Sequence, residues 1–274
     1  MSIKTTDMSG SAKKELHIFY VLDTSGSMDG APIGALNDAM RATVDELRKK
    51  DGEKADLRIA VMEYNSTVRW VTQGNNGVEN LQDFFWTDLQ ANGLTFLGAA
   101  LKELSTSLSR NEKMKSDTGN KIPVIIFMSD GYPNDDWEDG LRQLAENKWY
   151  RAATKIAFAL GDHADTDVLA KTIGVKRDGS IVPEYEAVIK TNDLQVFSNM
   201  IQAVSVTASL AASTSQMVGS EVTASGIVKD VVGTEIGHDP NGAITVDTST
   251  IDGGNIYGDP NDIVDIDEGF DDIY

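Results

Sequence analysis

The chain has 274 residues, 41% of them hydrophobic, no cysteine and a formal net charge of -19. The length suits one α/β domain with an appendage, or two small domains. The charge disfavours phosphate backbones and anionic lipid, so neither nucleic acid nor membrane is expected as a partner, and the missing cysteine excludes a disulfide framework and thiolate chemistry.

Residues 1–15 are polar and read as a flexible N-terminus. MSIKTTDMSGSAKKEL lacks the apolar core of a secretory signal, and the apolar runs of the chain look too short to span a bilayer, so a cytoplasmic location is expected. Residues 16–22 form an apolar run that reads as a buried strand. From Pro32 to Lys50 the apolar residues Ile33, Leu36, Met40, Val44 and Leu47 recur at spacings of three and four, which predicts a helix. Pro32 suits its first turn and Asp51-Gly52 its end. Residues 57–64 read as the next strand. A tight turn at Asn65-Ser66-Thr67 then returns residues 68–71 as a short antiparallel edge strand. Residues 78–85 read as irregular or a short helix.

Residues 96–108 carry Leu97, Leu101, Leu104 and Leu108 on one helical face. Residues 121–128 are a further buried strand, and 136–150 one amphipathic helix. Residues 155–160 are a strand, 165–172 a short helix, 185–189 a last strand and 194–210 a last helix. Strands alternate with helices, and the central strands are apolar on both faces. That pattern predicts a doubly wound, mostly parallel α/β sheet of six strands with one antiparallel edge strand, spanning residues 16–212.

Composition changes beyond this. Residues 214–274 hold thirteen acids and a single base, Lys229, and are rich in Gly, Thr and Asn. Residues 213–274 therefore read as an acidic, disordered tail. Scattered Ile and Val, with Tyr257, Phe270 and Tyr274, leave open an anchoring role beside a purely solvating one.

In an open α/β sheet, ligands sit outside the carboxyl ends of the strands. Three loops there carry suitable groups: Asp23-Thr24-Ser25-Gly26-Ser27, Asn92-Gly93-Leu94-Thr95 and Ser129-Asp130-Gly131. They offer two carboxylates and several hydroxyls, with no His or Cys. An oxygen-only donor set selects a hard cation, Mg2+, Mn2+ or Ca2+. Two carboxylates would nearly neutralise such an ion and leave it receptive to one more anionic oxygen. A partner's Asp or Glu could supply it.

LDTSGSM, the later GLT and the strand ending in MSDG resemble the metal-ion-dependent adhesion site of von Willebrand factor A domains. Asp23, Ser25 and Ser27 match the family's Asp-x-Ser-x-Ser, Thr95 its threonine and Asp130 its second aspartate. The resemblance covers residues 16 to about 210. It implies a six-stranded sheet flanked by helices, a bound divalent ion and a protein ligand whose carboxylate completes the coordination. It further implies direct ligation by Ser25 and Ser27, with Asp23 and Asp130 often acting through water. APIGALNDAM, NGLTFLGAAL and MSDGYPNDDW are similar to bacterial cytoplasmic members of the tellurium-resistance-associated type. That similarity suggests a Ser/Thr kinase and a metal-dependent phosphatase as partners in a stress response.

Other readings of the same residues stand beside these. The Ser and Thr groups could cap the helix that begins near Ala31. Asp136 reads as an N-cap or first-turn acid of the following helix, and Asp135 and Asp136 could alternatively rim the metal face. His163 reads as a surface loop residue, and Trp70, Trp86, Trp137 and Trp149 as packing groups, Trp137 with an alternative place beside the ion. A metal-assisted hydrolase would need a general base near the ion, which these loops do not evidently offer. Binding is therefore expected rather than catalysis. The acidic tail could also engage a metal site, giving autoinhibition or self-assembly.

Overall fold

The computed structural model describes residues 12–52, 54–214, 223–235 and 244–245. Strand β1 (Glu15–Asp23) is buried from Leu16 to Asp23. Its alternating side chains serve two cores. Leu16, Ile18, Tyr20 and Leu22 point to one face of the sheet, and Phe19 and Val21 to the other. This is why the run reads as continuously apolar.

Helix α1 (Ala31–Lys50) begins after Gly30 with Pro32 in its first turn, and ends on Arg48, Lys49 and Lys50, which complement the helix dipole. It lays Leu36, Met40, Val44 and Leu47 on the first face. Strand β2 (Asp56–Tyr64) pairs parallel to β1, and β3 (Val68–Trp70) returns antiparallel along β2. A two-residue strand β4 (Glu79–Asn80) also pairs with β2, within the stretch expected to be irregular or a short helix.

Helix α2 (Leu97–Ser107) crosses the second face. Strand β5 (Val124–Ser129) pairs parallel to the other side of β1. The single amphipathic helix expected over residues 136–150 is instead two: α3 (Trp137–Ala145) and α4 (Lys148–Ala152). The break follows from Asn147, whose side chain accepts from the Tyr150 amide and starts a new helix. Strand β6 (Thr154–Leu160), helix α5 (Thr166–Ile173) and strand β7 (Val188–Thr191) follow. The last strand begins three residues later than expected, because Tyr185–Ala187 forms a 3-10 turn.

Helix α6 (Leu194–Thr214) closes the first face. Asp193 caps it by accepting from the Gln195 and Val196 amides, and the Lys121 ammonium donates to the Ser213 carbonyl at its far end. Among the described residues it is the one helix long and apolar enough to cross a membrane, contrary to the expectation that no apolar run has that length. Half of that apolar stretch is buried within the domain. Phe197, Met200, Ile201, Val204 and Ala208 lie in the core shared with α1 and the sheet.

The strands lie in the order β3-β2-β1-β5-β6-β7, and β8 (Ile244–Thr245) adds to β7. The six expected strands and their mostly parallel pairing are present. The two-residue strands β4 and β8 bring the sheet to eight.

The sequence reading puts everything after residue 212 in the tail, but residues 224–235 build helix α7 (Ala224–Glu235). Ile227, Val228, Val231 and Val232 are buried in the core that α6 also lines. Their spacing of one, three and four puts them on one helical face. Burying each such side chain is worth about 1.5–3 kcal/mol, enough to hold a helix of weak intrinsic preference. Within the expected acidic tail, residues 215–222, 236–243 and 246–274 lie outside the described residues, as do residues 1–11 of the expected flexible N-terminus.

Candidate metal centre

The chain leaves β1 toward β2 on one side and later places β5 on the other side of β1. The strand order thus reverses between β1 and β5, and a crevice opens at their carboxyl ends. Asp23 ends β1, and Asp130 directly follows β5.

Asp23 is fully buried. Its Oδ1 accepts from the Ser25 amide at 2.9 Å, and its Oδ2 accepts from the Ser129 hydroxyl at 2.7 Å. Ser25 Oγ lies 3.0 Å from Ser27 Oγ, and Ser27 Oγ donates to Asp130 Oδ1 at 2.8 Å. Ser27 spends its one proton on Asp130, so Ser25 is the donor to Ser27. A continuous polar chain therefore runs from the β1 loop to the β5 loop, and both serine oxygens keep lone pairs for a further partner.

The third loop supplies Thr95. Its backbone is fixed by a reciprocal pair: the Thr95 amide donates to Asn134 Oδ1 at 2.9 Å, and the Asn134 amide donates to the Thr95 carbonyl at 2.8 Å. Its hydroxyl has no hydrogen-bond partner among the described residues and lines an open cleft of about 620 Å³ with Ser27 and Asp130. A Cβ added to Gly131 would stand 3.8 Å from Ser27 Oγ and 3.9 Å from Thr95 Oγ1, so one small position faces both hydroxyls.

Backbone contacts hold the first two loops together. The Gly26 amide donates to the Gly93 carbonyl and the Asn92 amide to the Thr24 carbonyl, both at 2.9 Å. Gly93 has φ +73°, and a Cβ there would meet Ser66 Oγ at 2.6 Å, so this turn requires glycine.

Electrostatics fit a cation. Burial pushes the Asp23 carboxyl up to about 6, against the Ser129 and Ser25 hydrogen bonds that lower it; the Asp130 charge pushes it up further. Burial also raises Asp130, opposed by the Ser27 hydrogen bond and by His163. Neither carboxylate has an ion-pair partner among the described residues. Two neighbouring acids at the mouth of a cleft, with no ion-paired Lys or Arg among the described residues, are stabilised by a cation placed between them. Beside Asp23 on β2, the Tyr64 phenol is held well above its usual range, first by burial and then by the Asp23 charge, so it stays a neutral donor. The donor set is carboxylate and hydroxyl throughout, which suits a hard divalent ion.

All five residues singled out in the sequence, Asp23, Ser25, Ser27, Thr95 and Asp130, therefore meet at one edge of the sheet. Helix capping does not explain them: neither Ser25 nor Gly30, the residues that precede the Gly26–Met28 turn and α1, makes a side-chain cap bond. Asp136 does cap α3, accepting from the Asp139 amide. Asp135 reaches across to cap α2, accepting from the Gly98 and Ala99 amides at 2.9 and 2.8 Å, so it fixes the helix that follows Thr95. Trp137 is buried in the core under the Lys171 ammonium. His163 is exposed and lines the cleft with Asp162 and Asn192.

Sequence reasoning missed the supporting groups. In sequence Ser129 reads as part of a loop and the Asn65 turn as a hairpin signal, and nothing local marks Asn134. The Asn65 side chain donates to Thr24 Oγ1, and its carbonyl accepts from the Phe96 amide. Two adjacent acids before Trp137 were the one local hint that a helix would be capped from that loop.

The model of the von Willebrand factor type A domain family matches residues 17–203. Among solved structures, the fold is similar to a von Willebrand factor type A protein from Catenulispora acidiphila, at 16% identity and TM-score 0.50, covering 77% of this chain and 44% of that one. It is similar to proximal thread matrix protein 1 from the mussel byssus, solved with a zinc-occupied metal-ion-dependent adhesion site, at 18% identity and TM-score 0.50, covering 73% and 49%. A mutant of the PilB minor pilin from Streptococcus sanguinis matches at 13% identity and TM-score 0.50, covering 74% and 62%. This chain thus spans about half the length of these structures or somewhat more. No curated protein matches the chain.

Proposed function

The chain belongs to the von Willebrand factor type A domain family, and we propose that it is a divalent-metal-dependent protein-interaction module, an adaptor or scaffold rather than an enzyme. The observation that carries this reading is the hydroxyl–carboxylate chain from Ser25 through Ser27 to Asp130, with the free Thr95 hydroxyl beside it. Ser25, Ser27 and Thr95, with Asp23 and Asp130, would hold the ion. Mg2+ is the proposed occupant, with Mn2+ or Ca2+ as alternatives. When bound, the ion supplies a Lewis-acidic position for an acidic side chain of a partner protein. The zinc-occupied site of the mussel protein supports a divalent ion in this fold.

The chain's own residues orient and desolvate. Asp23 is held by Ser129 and Ser25, and the buried Tyr64 lies beside it on β2. Binding rather than hydrolysis is supported by the surroundings: among the described residues the one imidazole lining the cleft is His163, which is exposed. A cytoplasmic bacterial role with a Ser/Thr kinase and a phosphatase is proposed on the tellurium-resistance-type resemblance of APIGALNDAM, NGLTFLGAAL and MSDGYPNDDW.

The test is calorimetric titration of the purified chain with Mg2+, Mn2+ and Ca2+, followed by capture of partners from the native host with magnesium and then chelator. Partners released by chelator, and not captured by Thr95→Ala, are the expected result. Capture indifferent to both would sink the proposal.

A further inference from the structure

Two features beside the metal face are not explained by ion binding. The first is apolar. Leu94 is 52% exposed and directly precedes Thr95, and Tyr132 is 62% exposed and lies two residues after Asp130. They belong to a short set of large exposed apolar residues, and both flank candidate ligands. The cleft that runs from Thr95 and Asp130 has Pro32, Leu160 and Tyr132 on its walls. Its volume of about 620 Å³ is in the range that takes an organic side chain or small ligand. The face is thus built for an acid with an apolar neighbour, not for an isolated carboxylate.

The second feature is where the chain returns. Strand β8 pairs antiparallel with β7, Ile244 opposite Thr191 and Thr245 opposite Lys190. Asn192, the residue after Thr191, already lines the metal cleft. The chain is therefore anchored on the cleft's own wall, with 29 residues of sequence after Thr245. Residues 262–274 read DIVDIDEGFDDIY: six acids, six apolar residues and one glycine. β8 points away from the metal edge, so the reach of the following residues is counted from Thr245. At full extension Asp262 is within about 55 Å of Thr245 and Asp271 within about 85 Å. A domain of this size is about 40 Å across, so reach is ample.

Resting on the metal-dependent reading above, we infer that residues 262–274 are a ligand of the chain's own metal face: an acid of this segment takes the open position on the ion, and a neighbouring Ile, Phe or Tyr packs against Tyr132 and the cleft wall. Charge makes the contact conditional. Without an ion, Asp23 and Asp130 repel the segment; with one, the site is nearly neutral and accepts a further carboxylate. Tethering supplies the acid at high local concentration, so an outside partner has to outcompete it. The interaction surface is thereby self-occluded in the presence of metal, and a partner needs better apolar complementarity than this segment offers.

The experiment uses the full chain. It has no cysteine, so Gly269→Cys accepts a single fluorophore. Anisotropy of the label is followed during Mg2+ titration and after chelation, with Mg2+ binding measured by calorimetry on the same sample. The expected result is an anisotropy rise that follows ion binding, reverses with chelator and does not vary with chain concentration. The rise is lost when the six acids of residues 262–274 become Asn or Gln, and lost in Thr95→Ala. Mg2+ binding with no anisotropy change overturns this inference while leaving the metal site intact. A rise that grows with chain concentration also overturns it, by assigning the segment to a second copy. Absence of Mg2+ binding overturns the metal-dependent reading itself.

Discussion

The Ser129 hydroxyl donates to Asp23 Oδ2 at 2.7 Å, joining the carboxyl ends of β1 and β5 beneath the metal face. This contact holds the carboxylate in place and stabilises its charge in a buried setting. Hydrogen bonds to charged groups are worth about 1.5–3 kcal/mol. Ser129→Ala is expected to lower unfolding stability by that amount near neutral pH, as measured by urea denaturation. It is expected to weaken Mg2+ binding roughly tenfold, the lower end of the effect of removing a group that orients a metal ligand.

Thr95→Ala separates ion binding from folding. The Thr95 hydroxyl has no hydrogen-bond partner among the described residues, and the backbone pair with Asn134 survives the substitution. Thr95 is buried, so the loss of its methyl is expected to lower stability without metal by about 1 kcal/mol and no more. Mg2+ affinity is expected to fall at least tenfold by calorimetry. A large loss of stability with unchanged affinity would show that Thr95 serves packing alone.

His17 gives the fold an acid sensitivity of its own. It is buried against Phe19, its Nδ1 has no hydrogen-bond partner among the described residues, and burial lowers its pKa to about 4 despite the nearby Glu15. Below the unfolded value of about 6.5 the unfolded chain takes up a proton that the folded chain refuses. Stability contributed by neutral His17 is therefore complete above about 6.5, is lost as pH falls from there to about 4, and changes no further below that. The loss amounts to about 3 kcal/mol. His17→Gln is expected to flatten the stability-against-pH curve in this window by that amount, read from urea midpoints at successive pH values.

Helix α7 is expected to behave as part of the domain. Ile227 and Val228 are fully buried in the core shared with α6. Ile227→Ala is expected to cost about 2–5 kcal/mol in unfolding free energy. An effect under about 0.5 kcal/mol would return residues 224–235 to the status of an appendage.

The strands were legible because the sheet is covered on both sides. Leu16 and Ile18 to Leu22 are buried in the two cores, with His17 the one polar interruption, and such a run announces itself without any partner. The five candidate ligands were legible for a related reason. Each lies at the end of a strand or in a loop next to a strand or helix end, so its place at the sheet edge follows from element order. Helix α7 was not legible. Four apolar residues amid an acidic, Gly-rich stretch acquire meaning only from the groove beside α6 that receives them. The α3–α4 break was hidden because apolar periodicity continues across Asn147, whose capping bond is invisible to a periodicity count.

What the sequence determined by itself is the alternation of elements and the chemistry at their ends: buried strands stopping at Asp, Ser and Thr, where hydroxyl and carboxylate oxygens can serve only a hard ion or each other. Tertiary structure decided how those oxygens are shared. Only folding could show that Ser129 and Ser25 hold Asp23, that Ser27 gives its proton to Asp130, and that Asn134 and Asp135 fix Thr95 and its helix. These contacts join residues up to about a hundred positions apart, and hydrogen bonds are set by distances of a few tenths of an ångström that no local pattern encodes.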